Sequence, residues 1–155
     1  MIKTISTDKA PAAIGPYSQA KVVGNLVFTS GQIAINPTNG EIEAVTIEEQ
    51  TKQVCENIKN LLEAAGSDLD SVVKTTCFLK NMEDFATFNG IYAEYFTSKP
   101  ARSCVAAKQL PKDVLVEVET IAVVKDRFFF HNTSSHSTRS IPDTASFRRE
   151  CLAKK

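Results

Sequence analysis

Residues Ser18–Val23 and Leu26–Ser30 carry β-branched and aromatic side chains on either side of the turn-forming pair Gly24-Asn25, a pattern that predicts an opening β-hairpin. A second turn cluster, Asn36-Pro37-Thr38-Asn39-Gly40, comes before Thr46 and Glu49, whose spacing is that of a helix-starting capping box. Beyond it Ile47, Val54, Ile58, Leu61, Leu62 and Ala65 recur at three- and four-residue intervals, and Gly66 stands where a helix would be capped. Val72–Lys80 is dense in β-branched residues and reads as a strand ended by Asn81. Phe85, Phe88, Tyr92, Tyr95 and Phe96 then fall on one side of a 3.6-residue period, predicting a second helix with Asp84 as its N-cap. Pro100 blocks its continuation, and Ala101–Lys108 and Val114–Lys125 read as two further strands around Leu110-Pro111-Lys112-Asp113.

The order hairpin, helix, strand, helix, strand, strand predicts an α+β layer, one mixed sheet with both helices on one face. The other face has no cover inside the chain. Such a face is usually buried against another copy, so a homo-oligomer is expected. At 155 residues and 43% hydrophobic content the chain suits one domain with a real core and is too short for two ordinary ones.

Lysine plus arginine match aspartate plus glutamate at 18 each, so charge gives no support to a nucleic-acid or membrane-surface role. A small molecule or another copy of the chain is the expected partner. No apolar run approaches the ~20 residues of a membrane span, and the N-terminus lacks a secretory signal pattern, which makes a cytoplasmic protein the expectation. Cys55, Cys77, Cys104 and Cys151 lack the spacing of a metal site or disulfide framework. The two histidines, His131 and His136, stand apart from the patterned elements, which removes a histidine-based triad from the core.

Alternation sends Arg102, Cys104 and Ala106 to one face of their strand, and Leu115, Glu117, Glu119, Ile121 and Val123 to one face of the last strand. If these consecutive strands pair as a hairpin, Arg102 and Glu117 converge on the uncovered face at the oligomer seam. One reading is an ion pair that fixes strand register or a subunit interface, because buried charge needs a partner. The other is a site in which the guanidinium fork grips a carboxylate and the glutamate orients water. The pattern alone leaves both open.

Ala10–Gln19, Thr29-Ser30-Gly31-Gln32, Ala64-Ala65-Gly66, Val73–Thr76, and above all Pro100–Val105 with Leu110–Asp113 and Val116–Glu119 resemble the reactive-intermediate deaminase (RidA, also called YjgF) family in order and spacing. The resemblance covers nearly all of residues 1–126. It implies a chorismate-mutase-like α+β fold, a homotrimer with three clefts between subunits, and hydrolysis of 2-aminoacrylate-type enamines or imines to 2-keto acids and ammonia. No cofactor and no metal are implied. By position, Arg102 matches the arginine that grips the substrate carboxylate and Glu117 the acid that positions or activates water. Tyr17, Ser30, Gly31, Asn89 and Cys104 match residues lining the cleft.

Each cleft residue has a plainer reading. Tyr17 can anchor a turn, Asn89 can be an ordinary polar position on a helix, and Gly31 can simply end a strand. Cys104 and Ser30 lack a neighbour that would activate them as nucleophiles. Two other functions remain beside the deaminase: a 2-keto-acid-binding sensor or chaperone-like protein without turnover, and a translation-inhibiting ribonuclease. The last fits poorly with zero net charge and no core histidine pair.

From Asp126 the composition changes, and the segment 127–155, rich in serine, threonine and arginine after Phe128-Phe129-Phe130, reads as a C-terminal extension that is disordered by composition. It falls outside the resemblance. A species-specific extension and residues foreign to the ancestral gene are equally compatible with it.

Overall fold

The computed structural model describes residues 1–125; the extension 127–155, with Cys151 and both histidines, lies outside them. Six strands, β1 (Ile2–Ile5), β2 (Ala20–Val23), β3 (Leu26–Thr29), β4 (Val72–Leu79), β5 (Ala101–Ala106) and β6 (Val116–Val123), form one sheet in the order β1-β2-β3-β6-β4-β5. Neighbours are antiparallel except β4 and β5, which are parallel, so the sheet is mixed. Helices α1 (Ile47–Ala64) and α2 (Phe85–Tyr95) pack on one face, where Val54, Ile58, Leu61, Phe88 and Phe96 meet Val27, Cys77, Leu79, Val116 and Val118 in a single core. The fold is the α+β layer that the pattern predicts.

Both ends of α1 follow from the sequence. Glu49 N–H donates to Thr46 Oγ1 (3.2 Å) while the Glu49 carboxylate accepts from the N–H groups of Thr46 (3.2 Å) and Val45 (3.0 Å), a complete capping box. At the other end Ser67 N–H reaches Leu62 O (2.8 Å) and Gly66 N–H reaches Glu63 O (3.0 Å), with Gly66 at φ 78°. That pair of bonds is a Schellman closure, and its left-handed residue is the one glycine tolerates. Asp84 departs from expectation. Its backbone is already helical at the end of a short 3-10 turn, Met82–Asp84, and its side chain makes no capping bond.

The strand order corrects the expected pairing of β5 with β6. The β4–α2–β5 segment is a strand–helix–strand crossover, which brings β5 back parallel to β4; β6 then takes the other side of β4, between β4 and β3. The opening hairpin is as predicted, and β1, which the pattern did not reveal, extends it at the edge.

The face away from the helices is open over most of its area, with Phe28, Val73 and Val105 exposed. One end is covered: Ile33, Ile35, Leu110 and Val114 form a second small cluster against Phe78. Asn57 of α1, fully buried, donates to the carbonyls of Ile33 (3.1 Å) and Ile35 (2.9 Å) and so holds that segment in place. Among the described residues no helix is long and apolar enough to cross a membrane.

Candidate active site

Cross-strand partners share a face, and this rule separates the two charged candidates. Arg102 sits beside Thr75, which sits beside Thr120, and both threonines are buried on the helix side. Glu117 sits beside Phe78 and Glu119 beside Thr76, on the opposite side. Within one chain Arg102 and Glu117 are therefore on opposite faces with β4 between them, and the expected convergence does not occur. Alternation grouped Arg102 with Cys104, and Glu117 with Glu119, correctly; the assumed hairpin pairing was the error, and it put Arg102 on the uncovered face instead of the helix side. Nor is there an ion pair: among the described residues the bridges are Lys80–Asp113 and Lys125–Asp68.

The Arg102 side lies where the edge strand β5 passes beside α2. One guanidinium nitrogen, Nη1, donates to Asn89 Oδ1 at 2.6 Å, and the guanidinium carbon stands 4.7 Å from the centre of the Tyr92 ring and 5.4 Å from that of Phe85. Tyr92 is itself fixed by a 2.7 Å hydrogen bond with Thr75 and by stacking on Phe96. The guanidinium plane is thus held by one acceptor and two aromatic faces, a weakly hydrated arrangement typical of anion recognition. No other acceptor among the described residues takes its remaining N–H groups. Asn89 and Arg102 border a groove of about 560 Å³, to which Lys99 and Thr97 also contribute.

Cys104 shares the Arg102 face, next to Cys77. Burial raises its thiol pKa, against a smaller lowering by Arg102, so the neutral thiol is the neutral-pH form and a nucleophile is not indicated.

The Glu117 side is a different cleft, of about 530 Å³, bordered by Tyr17, Ser30, Gly31, Glu117 and Glu119. Its wall is a β-bulge. From the Phe28–Ile121 pair to the Gln32–Val118 bridge the first strand advances one residue more than the second, so Ser30 and Gly31 bow out against β6. Glu117 is half-buried and accepts no hydrogen bond from the described residues; burial, then the like charge of Glu119, raises its pKa above the ordinary glutamate value. A carboxylate tuned in this way is suited to taking and returning a proton.

The rest of the wall is fixed by Gln19, a buried residue that sequence reasoning left out of the site. Its carboxamide accepts from Thr7 N–H (2.7 Å) and donates to the carbonyls of Thr7 (2.9 Å), Ala10 (3.2 Å) and Pro11 (2.8 Å), pinning the loop that carries Tyr17. Ser30 completes the junction: its hydroxyl donates to Ser18 O (2.6 Å) and its N–H to Gln19 O (2.9 Å). Ser30 is thereby a strut, and Tyr17, whose hydroxyl accepts from Ile14 N–H at 3.3 Å, is half-exposed at the mouth. Pro11, Ile14, Ile33 and Ile35 supply apolar lining that the sequence reading did not single out. Their signal was weak, because isolated apolar residues in loops look the same whether they line a cleft or cover a core.

The model of the family described as "Endoribonuclease L-PSP" matches residues 7–124. A 2-iminobutanoate/2-iminopropanoate deaminase of Escherichia coli is 50% identical over 127 residues, covering 79% of this chain and 98% of the relative. The crystal structure of the E. coli YjgF gene product superimposes with a TM-score of 0.76 at 48% identity, covering 79% of this chain and 99% of the other. That of E. coli TdcF with bound serine gives the same TM-score at 43% identity and the same coverage.

Proposed function

The chain belongs to the RidA/YjgF family, also described as endoribonuclease L-PSP, and on that premise we propose that it hydrolyses small 2-imino acids and their enamines to 2-keto acids and ammonia in clefts shared between subunits of a homotrimer. The observation that carries this reading is the separation of Arg102 and Glu117: a carboxylate-gripping group and a proton-accepting group stand on opposite faces of one sheet, each without an ion-pair partner among the described residues. A second copy set against the open face brings one chain's Arg102 to the other's Glu117.

In such a cleft the guanidinium takes the substrate carboxylate through two N–H groups while Asn89 and the aromatic rings hold its plane. Glu117 accepts a proton from the water that adds to the imine carbon. The same carboxyl returns that proton to nitrogen, giving the neutral carbinolamine, then takes the hydroxyl proton and passes it to nitrogen as the C–N bond breaks, so that ammonia leaves and the carbonyl forms. These imines hydrolyse spontaneously in water, so positioning and one general base of roughly 10²–10⁴-fold effect are sufficient. Ser30, Gly31, Cys104 and Tyr17 bound the substrate without exchanging protons with it.

A coupled assay tests the reaction: a dehydratase generates 2-aminoacrylate, and faster release of pyruvate is expected on adding this protein. Binding of pyruvate with no acceleration would favour the non-catalytic sensor. Sharing of the site is tested by mixing. Arg102→Ala and Glu117→Ala proteins, each inactive alone, should regain activity after joint unfolding and refolding, to about a quarter of wild type, since random assembly gives that fraction of clefts both intact residues. No recovery would mean that each cleft is built by one chain.

The family description names a ribonuclease, but both histidines lie beyond the matched residues 7–124, and among the described residues the Glu117 cleft is bordered by two carboxylates and no cation, so these offer RNA neither an imidazole pair nor a basic track. The domain itself is taken to end near residue 126. Removing 127–155 is accordingly expected to leave both the trimer, read by sedimentation, and the rate unchanged.

A further inference from the structure

Gly31 sits at the crest of the bulge with Glu117 packed over it. A Cβ added there would lie 2.7 Å from Glu117 Cδ and 3.0 Å from Cγ, and closer still to the carboxylate oxygen, with no other heavy atom among its three nearest neighbours. The Gly31 backbone is not in the left-handed region, which among the glycines holds only Gly24, Gly40 and Gly66. Its conformation would suit any residue. What calls for glycine is space, and the carboxylate of Glu117 occupies that space.

The backbone here cannot retreat to make room. Gln32 exchanges two backbone hydrogen bonds with Val118 (2.8 and 3.1 Å), and Ser30 is tied by its N–H and hydroxyl to Gln19 and Ser18. A side chain at position 31 would therefore displace the movable partner, the end of Glu117, toward solvent. We propose that Gly31 is a positioning residue, whose missing side chain sets where the Glu117 carboxylate rests and how deeply it is buried. This rests on the reading of Glu117 as the base.

Gly31→Ala keeps the residue's N–H, so any backbone contact with substrate survives and only the seat of the carboxylate changes. The expected result is a kcat lower by about 10²-fold, the effect of a misplacement of about 1 Å, with KM little altered. The acid limb of the pH–rate profile should also move to lower pH, because a carboxylate returned to water loses the burial that raised its pKa. In the Glu117→Gln background the same substitution should remove no further activity.

Wild-type kinetics for Gly31→Ala, or an equal loss in both backgrounds, overturns the inference and leaves the reaction standing. A fully active Glu117→Gln protein overturns the reading beneath it, a result visible before Gly31 is touched. Should Gly31→Ala not fold, Gly31→Ala/Glu117→Ala decides: with the carboxylate removed the added methyl has room and the double variant should fold, whereas failure would mean that glycine is needed there for another reason.

Discussion

Glu117→Gln is expected to lower kcat by roughly 10²–10⁴-fold, the usual range for losing a positioned general base, while the protein melts no earlier than wild type at neutral pH. The second half of that outcome follows from the burial of the carboxylate without a partner. Its folded pKa is raised above the unfolded value, first by desolvation and then by Glu119. Between the two values the folded state holds more protons than the unfolded one, so stability falls as pH rises through that window and the ionised group is a burden above it. The amide removes the burden. Thermal melts across pH should therefore show a flatter dependence for the variant. In the wild type, kcat should rise with pH as Glu117 ionises, along a limb shifted upward from the ordinary glutamate value. A variant that melts early, with activity lost in proportion to folding, would instead assign Glu117 to an ion pair, since removing one member of a buried pair strands the other.

Arg102→Lys should lower kcat/KM by about ten- to a hundredfold although the charge is kept, the size of one lost charge-assisted hydrogen bond of ~1.5–3 kcal/mol. The structure makes the reason local. Nη1 is spent on Asn89 at 2.6 Å, and the flat group lies against Tyr92 and Phe85, so the substrate meets the remaining edge of a plane already aimed. An ammonium has no plane to hold and no second edge to offer. The decisive comparison is a substrate carrying a carboxamide in place of the carboxylate. Wild type should discriminate strongly between the two and Arg102→Lys only weakly; equal discrimination by both proteins would make the arginine structural.

Much of this arrangement was legible in the chain because it is written in short-range chemistry. The capping box at Thr46 and Glu49, the closure at Gly66 and the hairpin turn at Gly24-Asn25 each depend on residues a few positions apart. Which residues of its own strand share a face with Arg102, and which with Glu117, depends only on strand alternation, and that grouping held. Strand order depends on something else. Whether β6 pairs with β5 or slips in beside β4 is decided by the crossover through α2, and the strand–helix–strand run Val72–Ala106 already pointed to a parallel pair. Reading the last two strands as a hairpin because they are consecutive overlooked that signal. The short β1 was missed for lack of pattern, since three of its four residues are exposed at the sheet edge. The seat of Glu117 on Gly31 was beyond reach, because it arises from a bulge that brings together residues far apart in sequence.

That bulge also sets how the chain can tolerate changes of length. Substitutions around Ser30 and Gly31 alter one contact at a time, but loss of a single residue there would let the ladder run on regularly from Phe28–Ile121. The backbone would gain an unbroken run of pairs, and by ordinary measures of strand quality the shortened protein would be improved. Gln32 would stay opposite Val118, and Ile33 and Ile35 against Leu110 and Val114, but the outward bow on which the Glu117 carboxylate rests would be gone. Single-residue gaps should therefore be scarce among working descendants of this chain at the bulge and ordinary at the exposed turn around Asn39, four residues beyond Ile35.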